Sequence, residues 1–351
     1  MKKAGRRDHT LAPKGKRMAK LIWIGLAITV AATLFVGCGT LRSATLGDPP
    51  APLSLENVRS TTPHGIRTKA SAPVVGLALG GGGLRGYAHI GVLQAFEEAG
   101  IDVEVIAGTS VGAIIGAAYS SGRTVEEIKQ LAENLDVSSL TDWRLSRTSL
   151  LRGDALAVWA SDMARNTPIE KMPRKFGAVA AVLDTGEAVL VERGDVGMAI
   201  RASAAIPGSM PPVESTHGLL VDGGISSLVP VRFARAMGAD VVIGVDIYCN
   251  SPPRSGSTFL ATIARVSRTQ TCLVSSVEMA EADVLLAPTI GITDMRSAAQ
   301  REASILAGYH AAKAAMPAVL DQINGHEHDL GSVRGGRRNH PGEAGMHDDA
   351  P

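Results

Sequence analysis

Val74–Ala99 reads VVGLALGGGGLRGYAHIGVLQAFEEA: an apolar run, four glycines in succession, then a segment of helical length. The uncharged run Val74–Leu79 ends in glycine, which predicts a buried strand. Tyr87–Ala99 is closed by Gly100, as a helix would be. The pattern then repeats. Val103–Ala107 predicts a second buried strand, and the small apolar residues of Val111–Ser120 suit a helix packed closely on a sheet. Downstream, Val179–Leu183 and Ala188–Glu192 flank Asp184-Thr185-Gly186 as a hairpin, and Val196–Ser203 suits a helix. Leu219–Val221 is a short strand ending at Asp222, and Val231–Met237 then Val241–Asp246 gives another helix–strand step. Leu260–Glu281, Val284–Ala287 and Arg296–Leu320 read as helix, strand and closing helix. Strands alternating with helices predict an α/β fold, a mainly parallel sheet sandwiched by helices in three layers.

The 351 residues hold 45% apolar and 20% charged side chains, enough for a sizeable core and too apolar for a disordered chain. The formal charge of +1 hides a split. Residues 1–20 hold eight bases and one acid, so the remainder holds 27 bases and 33 acids. A mildly acidic body with 3% aromatics argues against a nucleic-acid partner.

The basic end runs into Leu21–Gly37, which has no charge, and then Cys38. A positive segment, an apolar segment and a small residue before a cut describe a secretory signal. Leu34-Phe35-Val36-Gly37-Cys38 resembles the lipobox of bacterial lipoproteins, with Cys38 as the lipidated residue, although Phe35 stands where Leu is preferred. The alternative is a single uncleaved N-terminal membrane anchor; either places the body in the cell envelope, facing the periplasm or exterior. Residues 1–37 are thus read as signal, 38–72 as a flexible tether rich in Pro, Ser and Thr, 73–322 as the domain, and 323–351 as a disordered tail. Leu140–Pro173 reads as a lid or insertion. Cys249 and Cys272 could pair in an oxidising compartment, but their spacing does not decide it, and free buried thiols are the simpler expectation. His326, His328, His340 and His347 are spaced too irregularly for a metal site.

Three motifs carry chemistry. Gly80–Gly86 contains Gly81-x-Gly83-x-x-Gly86, a literal dinucleotide fingerprint, with Asp102 and Glu104 near the distance of a ribose-binding acid. That acid belongs at the far end of the second strand, whereas these two open it. The other use of such a loop is an oxyanion hole, where glycines let backbone N–H groups approach a developing negative charge. Gly108-Thr109-Ser110-Val111-Gly112, after a buried strand and before a small-residue helix, has the form of a nucleophile elbow, with Gly108 and Gly112 allowing the tight turn. Asp222-Gly223-Gly224 ends a strand, and the two glycines can present the Asp on an exposed turn as a base for a serine hydroxyl.

Together LGGGGLRGYAHIGVL (79–93), AGTSVGA (107–113), RASAAIPG (201–208) and LVDGGISSLVP (220–230) resemble the patatin-like phospholipase family. The resemblance implies Ser110 as nucleophile, Asp222 as general base, and Gly81, Gly82 and Gly83 as oxyanion donors, with Arg85 at the basic position of that loop. It implies hydrolysis of lipid acyl esters, with membrane lipids as substrate and no metal or cofactor. His89, His217 and His310 are the residues a triad would need, and none has a motif around it. Arg201 and Pro207 are expected to shape the site, and Met198 and Met210 to serve as core.

Overall fold

The structure is a computed structural model and describes residues 47–62, 72–134, 153–252, 258–294 and 296–335. Among the described residues, nine strands form one sheet. They are β1 Leu53–Ser54, β2 Val75–Leu79, β3 Val105–Thr109, β4 Lys175–Val182, β5 Ala188–Val191, β6 Val213–Ser215, β7 Gly218–Asp222, β8 Val241–Val245 and β9 Val284–Leu286. The helices are α1 Leu55–Thr61, α2 Tyr87–Glu98, α3 Val111–Ser120, α4 Val125–Glu133, α5 Asp154–Met163, α6 Val196–Ser203, α7 Val231–Ala236, α8 Phe259–Met279 and α9 Ala298–Gly335.

The sheet order is β1-β5-β4-β3-β2-β8-β9, with β7 also on β4 and β6 on β7. From β4 through β9 the neighbours run parallel. The β1, β5, β6 and β7 pairings are antiparallel. The sheet is therefore mixed, with a parallel centre. That centre follows from composition: β2, β3 and β8 are apolar without alternation and buried at every residue, as strands covered on both faces must be. Ile90, Leu93 and Phe96 of α2, Ile115 of α3 and Ile305 of α9 share one core cluster. Val58 of α1 and Phe233 of α7 belong to a second cluster, with Val105, Val179 and Val242 of the sheet.

Register positions the site. Leu79 stands opposite both Gly108 and Val245, so the loops after β2, β3 and β8 leave the sheet at one edge. Thr109 pairs with Val179, and the next residue along β4, Ala180, pairs with Asp222.

Several expectations need correction. The tether contains β1 and α1, because Leu53, Leu55 and Val58 supply enough apolar surface to dock on the second core cluster. The strand expected at Val103–Ala107 continues through Thr109, directly into Ser110. Part of the expected insertion is the helix α5, clamped to α6 by an Asp154–Arg201 ion pair at 3.4 Å; residues 135–152 lie outside the described residues. Strand β6, to which the sequence reading assigns no element, hairpins onto β7. Helix α9 runs to Gly335, past the expected start of the tail, and carries His326 and His328; His340 and His347 lie outside the described residues. Cys249 and Cys272 are not free thiols. The loop after β8 and helix α8 bring their Cα atoms to 5.6 Å, inside disulfide range, and they are bonded.

The expected signal, residues 1–37, and Cys38, the expected lipidation residue, lie outside the described residues. No helix among the described residues is long and apolar enough to cross a membrane.

Candidate active site

Ser110 ends the chain's run through β3 and caps α3 with φ 55° and ψ −122°, a conformation an L-residue rarely holds. Such strain persists only where the surroundings enforce it. Three contacts enforce it here. The Ser110 backbone N–H donates to Ser203 Oγ at 2.9 Å, and the Ser203 hydroxyl donates to the Val179 carbonyl at 2.6 Å. Thr109 Oγ1 donates to the Ser227 carbonyl at 2.8 Å, tying the elbow to the loop after β7. Gly112 lets α3 approach β2 so closely that a Cβ there would stand 2.1 Å from the Leu79 carbonyl oxygen. Gly108 has the same function against the backbone of Ala113.

Asp222 ends β7, where its N–H donates to Ala205 and its Oδ1 accepts the Gly224 N–H at 2.8 Å. Gly223 packs against the Val179 carbonyl, which keeps the turn tight on β4. Burial pushes the Asp222 carboxyl up from the usual carboxylate range to about 6. The Gly224 N–H and the Ser110 hydroxyl pull it back down. The second of these influences reflects that the two side chains lie near one another. Both are almost fully buried.

The glycine loop lies against the same serine, since a Cβ on Gly81 would stand 3.4 Å from Ser110 Cβ. Its donors are divided. Gly80 N–H and Gly81 N–H are spent on the Val245 and Leu228 carbonyls, each at 3.0 Å. Gly81 therefore anchors the loop and has no N–H to offer a substrate, contrary to the sequence expectation. Gly82 and Gly83 begin the short 3-10 turn Gly83–Gly86, where the first N–H groups have no partner within the turn. Gly83 holds φ +57°, which a glycine tolerates without cost. Arg85 is also turned away from an oxyanion role: its guanidinium donates to the Pro252 carbonyl at 3.2 Å and lies 5.4 Å from the Tyr248 ring centre.

The histidines take other places. His89 is fully buried, and its Nε2 is 2.8 Å from the Gly80 carbonyl. Burial lowers its pKa to about 4, so the ring is neutral at pH 7 and Nε2–H donates. That bond supports the glycine loop from behind. His217 is exposed on the β6–β7 turn beside Thr216, and His310 is exposed on α9 beside Tyr309. None of the three hydrogen-bonds Ser110 or Asp222. Asp102 and Glu104 are exposed ahead of β3, at the end of the sheet away from the glycine loop. Met198 is core, as expected, whereas Met210 is only partly buried and outside the core clusters.

Ser203 is the residue that sequence reasoning missed. It sits inside the RASAAIPG block, and a serine on the buried face of an apolar helix was the available signal.

Residues 77–235 match the family model described as Patatin-like phospholipase. An uncharacterized NTE family protein of Mycobacterium tuberculosis is 40% identical over 189 residues, 53% of this chain and 52% of its own length. Patatin-like phospholipase domain-containing protein 7 of Rattus norvegicus is 35% identical over 182 residues, 49% of this chain and 13% of its own. The crystal structure of VipD from Legionella pneumophila is similar over 72% of this chain and 68% of its own, at TM-score 0.46 and 14% identity. The chain spans about half the length of the first curated relatives it matches. Over residues 77–235, from β2 into α7, this chain is similar to the patatin-like phospholipase family.

Proposed function

We propose that the protein is a serine-dependent lipid acyl hydrolase working through Ser110 and Asp222. The observation that carries this reading is the strained Ser110 near a buried carboxylate whose pKa is raised to about 6. A base of that pKa is ionised at neutral pH yet basic enough to take a proton as the hydroxyl attacks. Ser110 Oγ forms a bond to the ester carbonyl carbon while its proton passes to Asp222. The carbonyl oxygen becomes negative beside the N–H groups of Gly82 and Gly83. Collapse breaks the ester bond, and the leaving alcohol takes the proton back from Asp222. A water molecule then attacks the acyl-serine with Asp222 again as base, releasing a fatty acid and restoring Ser110.

A dinucleotide-dependent oxidoreductase is the rival enzyme reading. It loses support because Asp102 and Glu104 lie at the wrong end of β3, and it gives Ser110 and Asp222 nothing to do. A catalytically silent envelope protein keeping the fold is the non-enzymatic rival. Covalent labelling by a fluorophosphonate probe separates it: the wild type should label and release fatty acids from mixed phospholipids, and Ser110→Ala should do neither. An unlabelled wild type, folded by circular dichroism, would overturn the hydrolase reading. Envelope anchoring through Cys38 rests on the sequence of residues 1–38 alone. Metabolic lipid labelling should appear in the wild type and vanish in Cys38→Ala; its absence from the wild type leaves the plain anchor.

A further inference from the structure

Helix α8 is built inside out. Its inward face is polar: Ser275 Oγ accepts the Leu228 N–H at 3.3 Å, and Glu278 accepts the Arg232 N–H at 3.0 Å. Arg268 donates to the Tyr248 and Cys249 carbonyls, and Cys272 is bonded to Cys249. The outward side carries an apolar stripe, flanked by the exposed Thr262, Arg265, Thr269 and Ser276. Phe259 is 79% exposed, Leu260 76% and Leu273 68%, with Ile263, Val266, Val274 and Val277 each half exposed or more. A surface helix of a monomer in water shows the opposite arrangement.

The exposed residues are also in order. Phe259, Ile263, Val266, Gln270, Leu273 and Val277 follow one another at spacings of 4, 3, 4, 3 and 4, the seam of a coiled coil. Ile263 and Val277 are β-branched at one set of seam positions, and Gln270 puts a single polar group midway, a device that fixes register between paired helices. At about 150–200 Å² for a large apolar side chain, the seven exposed side chains present roughly 700 Å², close to the ~800 Å² that each partner gives to a standard interface.

We propose that α8 is a self-association surface and that its occupant is a second copy of this chain, packed seam to seam about a two-fold axis. A homodimer needs one self-complementary patch, and an uncharged stripe of three heptads meets that need. Charge argues against a lipid surface as the occupant. Phe259–Val277 contains no lysine and no tryptophan, and of its two arginines Arg268 is held by backbone carbonyls. Helices that lie in membrane interfaces pair their apolar side with a polar face rich in Lys and Arg, and α8 offers only Arg265 for that purpose.

Sedimentation equilibrium of the full chain in density-matched detergent tests this. At micromolar concentration the wild type should sediment at twice the chain mass. Val266→Glu with Leu273→Glu should sediment as a monomer, with unchanged circular dichroism because both side chains already face solvent. Mixing that variant with Val266→Lys/Leu273→Lys should restore the dimer, which a misfolded variant could not do. A monomeric wild type at tens of micromolar overturns the proposal, as does a dimer indifferent to the double substitution. Monomers whose binding to phosphatidylglycerol vesicles depends on the seam would assign the face to lipid, and monomers that cover it with Leu21–Gly37 would assign it to the chain's own apolar segment. Either result also overturns the second copy.

Discussion

Helices α3 and α8 are both rich in apolar residues, and the protein uses them in opposite senses. In α3 the apolar residues point inward, Gly112 brings the backbone onto β2, and the helix start holds Ser110 in a strained turn. In α8 Ser275 and Glu278 point inward and are consumed by hydrogen bonds, Cys272 by a disulfide, while Phe259, Ile263, Leu273 and Val277 face out. Apolar residues in the core build a site by removing freedom. On a surface they leave free energy unspent until a partner arrives. Changes around α3 should therefore alter chemistry, and changes on the outer face of α8 should alter only assembly.

The largest expected effect is at Asp222, where chemistry and stability oppose each other. Asp222→Asn keeps the shape and removes the base, so acylation of Ser110 should fall on the order of 10⁴-fold. Stability should move the other way. The folded pKa is raised from 3.8 to about 6, so the group favours the folded state fully only below pH 4 and loses that contribution as pH rises through 6. At pH 7 the buried charge costs about 3 kcal/mol, which the Asn variant should recover as a higher midpoint in urea, with the difference vanishing near pH 4. Wild-type activity should fall as the pH drops through about 6, close to where a histidine base would titrate, so the pH profile alone does not separate the two. The variant does. A folded Asp222→Asn enzyme acylating at the wild-type rate, or one no more stable than wild type at pH 7, breaks the assignment.

The next effect is smaller and tests how the turn is held. Ser203→Ala leaves the Ser110 N–H without its buried acceptor, a loss of about 1–3 kcal/mol. As a positioning residue Ser203 touches no substrate, so kcat should drop roughly 10- to 100-fold with KM unchanged, at about 1.4 kcal/mol per tenfold. An unchanged kcat with only a lower melting temperature would make Ser203 structural and nothing more. Smallest of all should be the effect of the outward α8 substitutions on the chemical step, which ought to be nil. If they slow acylation, the contrast between the two helices fails.

Much of this was legible in one dimension. Apolar runs without alternation imply strands buried on both faces, and a run of glycines between strand and helix implies close backbone approach. These are local consequences of chain geometry, so Val75–Leu79, Val111–Ser120 and Val196–Ser203 emerged within a residue or two, and Ser110 and Asp222 stood out beside their glycines. What sequence could not supply was the partner of each polar group, because partners are chosen by pairing across the sheet. Gly81 and Gly82 are identical letters, yet Gly81 meets the Leu228 carbonyl and is spent, while Gly82 opens the turn. Arg85 lies in the loop of the candidate site and faces Tyr248 because the β8 loop folds beside it. Cys249 and Cys272 are joined because helix α8 crosses that loop, which a spacing of 23 residues does not encode. Local propensity and hydrophobic pattern depend on neighbours along the chain and were fixed by the sequence. Which donor is free, which carboxyl is desolvated and which apolar face lacks a partner depend on neighbours in space, and only the tertiary structure decided them.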